Sequence, residues 1–314
     1  VKKPLIILTG PTAVGKTSLS IALAKAVNGE IISADSMQVY RHMDIGSAKI
    51  RPEEMQGVPH HLVDCLEPDE EFNVVRFQQM AKEAMKGIYD RGRIPVLVGG
   101  TGFYIQAVTG DIDFTVHGED TTYRQMLEEK AKTEGAQALH EMLAAVDPAS
   151  AAAIHANNVK RVIRALEYYR QTGKPISQHN EEQRQKESPY NLAYFVLNDE
   201  RTRLYERIDA RIDQMLADGL IDEVKTLKKM GYHKGMVSMQ GLGYKEILSY
   251  LDGTWPLEEA IYVLKRDTRH FAKRQITWFK RERQVEWFDK QDFGYDAQGI
   301  LEAMLASLRE KKII

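Results

Sequence analysis

The stretch LIILTGPTAVGKTSLSIALAKAV (residues 5–27) decides the fold. Four apolar residues and a threonine lead into a glycine turn, and apolar residues at helical spacing follow it. Gly10, Pro11, Thr12, Ala13, Val14, Gly15, Lys16 and Thr17 spell G-x-x-x-x-G-K-T in the one place where the motif has a mechanism, between a strand and a helix. Successive backbone N–H groups and the helix N-terminus attract phosphate oxygens there. Lys16 adds a point charge, and the hydroxyl of Thr17 can ligate Mg²⁺. A ligand with at least two phosphates is expected, held by residues 10–17.

Outward from this cradle, strand-like and helix-like segments alternate, the mark of a parallel α/β sheet. EIISAD is a second strand closing on Asp35, and FNVVRFQQMAKEAMKGIYDRG is a helix with Gly92 just past its end. IPVLVGG is a third strand, closing on Gly99-Gly100-Thr101-Gly102. From about Phe114 to Ser188 the pattern is helical without strands, in two long periodic segments punctuated by Asp147-Pro148 and Gly173-Lys174-Pro175. YNLAYFVLN returns as a strand, after which the chain reads as helical to near its end. The expected architecture is an α/β P-loop core over 1–113 and 189–314, ending in helices, with a helical insertion over 114–188. Open α/β sheets bind ligands at the carboxyl edge of their strands.

Bulk properties narrow the class. The 314 residues are 43% hydrophobic and 28% charged, and the net charge is −2. The longest apolar runs are far too short to cross a bilayer. VKKPLIILTG lacks the apolar length of a secretory signal, and the single cysteine, Cys65, excludes an internal disulfide or a cysteine-based zinc module. A cytoplasmic protein without a membrane partner is expected. The charge is segregated: residues 265–283, KRDTRHFAKRQITWFKRER, hold eight Lys/Arg against two acids, a local charge of +6. Phe271, Trp278 and Phe279 in that run are expected in the core, while its cations are free to meet an anionic partner. His60 and His61 read as structural or turn residues, lacking partners at zinc spacing.

A P-loop NTPase holds Mg²⁺ with an acid at the end of a second apolar strand. Here IPVLV ends in Gly-Gly-Thr, and Asp64 at the end of HHLVD is a poor substitute. Diphosphate binding is therefore better supported than hydrolysis. Asp35, at the end of a strand expected beside the P-loop strand, could take a proton or hydrogen-bond an amine; a helix N-cap or turn aspartate is the lesser alternative. GGTGFY offers a close-approach backbone and the Thr101 hydroxyl, or else a tight strand-to-helix turn.

At GPTAVGKT, DSMQVYRHMDIGSAK, PHHLVD and GGTGFY, in that order, the sequence resembles the tRNA dimethylallyltransferases, the tRNA isopentenyltransferase family. VDPASAAAIHANNVKRVIRALEYYRQTGKP, RLYERIDARIDQMLADGLIDEV, QGLGYKE and TRHFAKRQITWFKR extend the likeness collinearly from about Leu5 to Arg283. One departure stands at His155-Ala156-Asn157-Asn158, where the family has His-Pro-Asn-Asp. The short bacterial form is the one resembled, since one cysteine cannot build the zinc finger of the eukaryotic members.

The resemblance implies a P-loop kinase-like core with an insertion that grips the anticodon stem-loop. It implies transfer of a dimethylallyl group from dimethylallyl diphosphate to N6 of the adenosine just 3′ of the anticodon, in tRNAs reading codons that begin with U. Lys16 and Mg²⁺ on Thr17 would stabilise the departing diphosphate. Asp35 would orient N6 and take its proton, and Thr101 would hydrogen-bond near the reacting centre. An arginine near the diphosphate matches Arg201 best and Arg203 second. Lys160, Arg161 and Arg164 would contact RNA phosphates. Asp35, Ser36, Met37 and Gln38, with Thr101, Gln240, Gly241, Gly243, Tyr244 and Lys245, would line the loop nucleotides. No obligate protein partner is implied. Three other readings stay open: a P-loop kinase of a small metabolite, an adenylate isopentenyltransferase acting on free AMP, and a non-catalytic RNA-binding P-loop protein.

Overall fold

Unbroken apolar runs mark strands covered on both faces. In a computed structural model, which describes residues 2–114 and 121–314, they form one six-stranded sheet. Residues 115–120, part of the expected insertion, lie outside the described residues. The strands are β1 (Lys3–Thr9), β2 (Gly29–Ser33), β3 (His60–His61), β4 (Ile94–Gly99), β5 (Tyr190–Asn198) and β6 (Val285–Asp289). Their order is β3-β2-β4-β1-β5-β6, and every pairing is parallel, so β4 stands between β2 and the P-loop strand β1, which corrects the expectation that the Asp35 strand adjoins it. β1 sits inside, with Leu5, Ile6, Ile7 and Leu8 fully buried. Register pairs Thr9 with Gly99 on one side and Val196 on the other, so the P-loop and the Gly-Gly-Thr turn leave the sheet at one level.

Two strands depart from the expectation. His60–His61 is too short to show a pattern, and it pairs with Ile31 and Ile32 at the sheet edge. The region read as helical to near the end contains β6, paired to β5 from Tyr194↔Val285 to Asn198↔Asp289. VEWFD carries Val, Trp and Phe, residues that suit strands. Only Phe288 among them is buried, so neither a continuous nor an alternating run betrays the strand.

The chain divides into two compact units, Val1–Thr109 with Ser188–Ile314, and Gly110–Glu187. The first holds the sheet and the helices α1 (Lys16–Ala26), α2 (Val74–Asp90) and α3 (Gly102–Thr109). The Asn73 side chain caps α2 by accepting from the Arg76 N–H at 3.0 Å, and Gly92, at φ +68°, closes its far end. At the opposite edge from the P-loop, the buried Glu30 carboxylate accepts from Arg91 (2.8 and 2.7 Å) and Arg93 (3.1 Å) and meets His61 at 2.7 Å. These contacts pin the start of β2 to the end of α2.

The second unit is all-helical among its described residues: α4 (Thr121–Thr133), α5 (Ala136–Val146), α6 (Pro148–Ala153), α7 (Val159–Thr172) and α8 (Ile176–Gln185). Its own core joins Leu127, Leu139, Leu143, Val162 and Leu166. Each long periodic segment is broken once. Gly135, at φ +88°, separates α4 from α5, and extended backbone at Ile154 separates α6 from α7. The buried Asp147 carboxylate accepts from the backbone and hydroxyl groups of both Ser150 and Ser177, tying α6 to α8.

The first unit resumes after β5 with α9 (Arg201–Ala217), α10 (Leu220–Lys229), α11 (Tyr244–Leu251) and α12 (Leu257–Phe279), then β6 and α13 (Ala297–Glu310). Phe279 of α12 is fully buried, and Phe271 and Trp278 are half-buried, so the aromatics of the basic run do pack inward. No helix among the described residues is long and apolar enough to cross a membrane.

Candidate active site

The P-loop needs backbone that side chains disfavour. Gly10 lies at φ +147°, where a Cβ would sit 2.2 Å from the Leu197 carbonyl oxygen, and Gly15 at φ +104° forms the N-cap of α1. Ala13 is also left-handed, at φ +64°, a strain of order 1 kcal/mol for a residue with a Cβ. The surroundings hold that shape. Arg207 Nε donates to the Ala13 carbonyl at 2.8 Å, Lys290 Nζ to the Val14 carbonyl at 3.2 Å, and the Thr12 N–H to Gln275 Oε1 at 2.9 Å.

Lys16 folds over its own loop, donating to the carbonyls of Gly10 (2.9 Å) and Pro11 (2.8 Å). Burial, and then the Arg211 guanidinium, lower its pKa to about 7, against the opposing pull of Asp35. Burial likewise lowers Arg211, with Asp35 acting the other way. Lys16, Arg211 and Asp35 thus feel one another in one crevice. Thr17 is exposed on the first turn of α1.

Asp35 takes the turn role on one oxygen and leaves the other open. Its Oδ1 accepts from the Met37 N–H (2.7 Å) and the Gln38 N–H (3.1 Å), fixing the turn. No hydrogen bond engages Oδ2 among the described residues. Thr101 is drawn to it by backbone: the Thr101 N–H bonds the Ala34 carbonyl at 3.3 Å. That approach requires glycine at 99, where a Cβ would lie 2.3 Å from the same Ala34 oxygen. Asp64 is not in the crevice; it is exposed and paired with Lys49 at 2.8 Å.

The arginine expectation is corrected. Arg201 is exposed at the first position of α9, its guanidinium 5.2 Å from the Tyr205 ring centre. Arg207 and Arg211 are the ones that reach the cradle. Arg203, the second choice, stacks on Tyr295 at 3.9 Å and lies 3.9 Å from the buried Asp199. A signal for this existed: Arg203, Arg207 and Arg211 are spaced four apart and share one helix face, which Arg201 does not.

Among the residues expected at loop nucleotides, the structure joins two groups. Met37 packs on Gly241, where a Cβ would be 2.4 Å from the methionine Cε. Gly243, at φ +94°, starts α11, and its N–H donates to Glu246 at 2.8 Å. Lys245 is half-buried and lies 3.5 Å from Glu246, while Gln240 Nε2 donates to the Lys234 carbonyl. Ser36 remains half-buried beside the turn. Gln38 spends its amide inside the loop, on the carbonyl of Ala48 (3.2 Å) and the hydroxyl of Ser33 (3.3 Å). Tyr244 departs from the expectation. It is fully buried against Gly46, and its hydroxyl donates to Glu223 at 2.7 Å, so it supports the loop from inside.

In the helical unit, Lys160, Arg161 and Arg164 are exposed on α7, opposite the buried Val162, Ile163 and Leu166, and pair with no acid among the described residues. Lys160 and Arg161 stand in the first turn of α7, which has no acidic residue. Cations are unfavourable by a few tenths of a kcal/mol each, roughly, at that positive helix end. His270, Lys273, Arg274, Thr277 and Trp278 of α12, with Arg281 just past its end, line an open basic depression.

Comparison with known proteins agrees with this geometry. Residues 38–282 match the family described as IPP transferase, and residues 3–65 match isopentenyl transferase. A tRNA dimethylallyltransferase of Lachnoclostridium phytofermentans is 65% identical over 312 residues, covering 99% of both chains. Its counterpart in Carboxydothermus hydrogenoformans is 54% identical over 91% of both. The crystal structure of the full-length tRNA isopentenylpyrophosphate transferase of Bacillus halodurans is 49% identical, with a TM-score of 0.75 over 99% of this chain and 98% of that one. A eukaryotic dimethylallyltransferase captured acting on tRNA is 31% identical, with a TM-score of 0.76 over 91% of this chain and 74% of that one.

Proposed function

The chain belongs to the IPP transferase family, the tRNA dimethylallyltransferases, and we propose that it transfers a dimethylallyl group from dimethylallyl diphosphate to N6 of the adenosine 3′-adjacent to the anticodon. The tRNAs concerned read codons beginning with U, and diphosphate is released. The observation that carries this reading is the polarity of the crevice. Lys16, Arg207 and Arg211 lie on the phosphate side, one carboxylate whose Oδ2 has no hydrogen-bond partner among the described residues, Asp35, faces them, and β4 ends without an acid.

In the reaction the allylic C1–O bond breaks as the N6–C1 bond forms. Negative charge grows on the diphosphate, where preorganised cations lower the barrier most. Lys16 turns from the Gly10 and Pro11 carbonyls to the phosphate oxygens. Arg211 supplies a second charge, and Arg207 holds the loop through Ala13. Asp35 Oδ2 orients the exocyclic amine and takes its proton, while Oδ1 keeps the turn. Thr101 offers a hydroxyl on the facing turn. The adenine must leave its stack to reach these groups.

Magnesium suits the donor set. One exposed threonine hydroxyl, Thr17, joined by diphosphate oxygens and water, is the kind of shell this ion takes. When bound, it neutralises charge on the leaving group. Lys160, Arg161 and Arg164, which pair with no acid among the described residues, give RNA phosphates a footing, and loop bases then carry the sequence information. A tRNA substrate suits the cytoplasm.

Incubation with an anticodon stem-loop and labelled dimethylallyl diphosphate, and separately with γ-labelled ATP, tests the proposal. Label is expected in the RNA from the prenyl donor alone. Label entering RNA only from ATP refutes it, as does transfer to free AMP with none to the stem-loop.

A further inference from the structure

The Gly99–Gly102 turn and the P-loop are joined by a side chain that neither motif contains. Gln275, on α12, is 6% exposed. Its Oε1 accepts the Thr12 N–H at 2.9 Å, and its Nε2 donates to the Gly100 carbonyl at 3.1 Å. The two partners fix the orientation of the amide, because a backbone N–H can meet only the oxygen and a carbonyl only the nitrogen. One turn further along α12, Trp278 lies over Gly102, where a Cβ would come within 2.2 Å of its Cδ1. A Cβ on Gly100 would stand 2.1 Å from Gln275 Nε2. Two glycines of the turn are therefore required by α12, whose side chains occupy the space where their own would be.

We infer that Gln275 is a positioning residue that sets the distance between the two halves of the active site. Thr12 belongs to the cradle that receives the leaving group. Gly100 precedes Thr101, whose N–H is bonded to the carbonyl of Ala34, the neighbour of Asp35. The amide of Gln275 thus links the diphosphate half to the half that presents the amine. In a displacement, the carbon must lie in line between the departing oxygen and the attacking nitrogen. Each half can bind its own ligand without the link, but the chemical step depends on their separation.

This inference rests on the prenyl-transfer reading, and its test keeps the two apart. Wild-type transfer in the assay above judges the reading. The clamp is judged by variants and by hydrogen exchange of the free enzyme, which needs no substrate. Gln275→Met keeps the volume and removes both bonds. A misplacement near 1 Å costs about 10²-fold in rate, so kcat is expected to fall about that much, while KM for dimethylallyl diphosphate and stem-loop affinity change by less than about threefold. Peptides covering 8–19 and 97–104 are expected to exchange faster together, with the remaining sheet unchanged.

Gly100→Ala should reproduce the kcat loss with Gln275 intact, because its new Cβ displaces the amide. The double variant Gly100→Ala/Gln275→Ala relieves that clash, so its Tm should recover relative to Gly100→Ala while kcat stays low. Recovery of kcat together with Tm would reduce Gln275 to packing and overturn the inference. So would a Gln275→Met enzyme within twofold of wild type, a rise in KM matching the whole loss of kcat/KM, or faster exchange in only one of the two peptides or in neither.

Discussion

Replacing Asp35 by asparagine separates its two tasks. Asparagine retains a carbonyl oxygen that can accept from the Met37 and Gln38 N–H groups, so the turn closes as before. The substitution removes the charge and the proton acceptor at the oxygen left free for the amine. General-base assistance contributes about 10²- to 10⁴-fold, or roughly 3–5 kcal/mol of barrier. A second loss adds to it. The Asp35 charge raises the Lys16 pKa against burial and Arg211, so its removal leaves less of Lys16 protonated at neutral pH. Asp35→Asn should therefore lower single-turnover prenyl transfer by at least about 10²-fold, with stem-loop binding and Tm held near wild type. Asp35→Ala loses the turn as well and should show a further stability deficit of about 1 kcal/mol. Anisotropy with labelled stem-loop, thermal melting and rapid-quench transfer measure the three quantities. Transfer by Asp35→Asn within threefold of wild type refutes the role of the carboxylate.

Further expectations concern the charges around it. Arg211→Ala should cost about 10²-fold in kcat, as losing one preorganised donor does, while Arg201→Ala stays within twofold in the same steady-state assay. Equal losses would return Arg201 to the site. Lys16, lowered to about 7, is partly neutral in the free enzyme above that pH, and diphosphate favours its charged form. Binding of inorganic diphosphate at pH 8 should take up close to one proton, seen by calorimetry in buffers of different ionisation enthalpy, and the uptake should vanish in Lys16→Met. The sign for stability follows: between about 7 and 10.5 the unfolded chain binds the extra proton, so this group adds stability as pH rises through that window. Glu30 has the same slope in a lower window. Hydrogen bonds from Arg91, then His61, outweigh burial and hold its pKa at about 2, below the ordinary 4.5. Its stabilisation, on the order of 3 kcal/mol, is present above 4.5 and lost as pH falls toward 2. Denaturant curves should show Glu30→Gln weaker than wild type at pH 7 and the gap closing as pH falls toward 2; a constant gap would contradict the assignment.

The parts of the fold and site that the sequence disclosed are local. The P-loop, the Asp35 strand end, Gly92 past its helix and the Asp147-Pro148 boundary are each written within a few consecutive residues. What it did not disclose is joined over long separations. Thr12 meets Gln275 across 263 positions, Ala13 meets Arg207 across 194, and Val14 meets Lys290 across 276. Nothing in Gln275, within the basic run, or in Lys290, beyond it, distinguishes them from surface residues. β6 is hidden for a related reason: its only buried residue faces a neighbour that arrives some ninety positions earlier, as the 91-residue separation of Asn198 and Asp289 shows. Tyr244 erred in the other direction. Its motif marks a loop that resemblance places against RNA, yet the ring serves that loop from the core side through Glu223. Motif membership locates a segment; only packing tells which of its side chains face outward.

Packing also bears on why prenyl transfer, rather than hydrolysis, is the function proposed. In an NTPase, the acid at the end of the strand beside the P-loop strand helps hold the metal and its water. Here that strand is β4, and its end is pressed onto its neighbour so closely that a Cβ at 99 would lie 2.3 Å from the Ala34 oxygen. At 100 the space belongs to Gln275, and at 102 to Trp278. No carboxylate can stand at any of these positions without moving the turn that presents Thr101. The nearest strand-end acid on the other side, Asp199, is buried and lies 3.8 Å from Lys290 and 3.9 Å from Arg203, behind the loop. The close approach that denies the crevice a strand-end acid is the same one that brings the Thr101 turn beside Asp35. In the proposed reaction, that approach shortens the path between the departing diphosphate and the incoming amine.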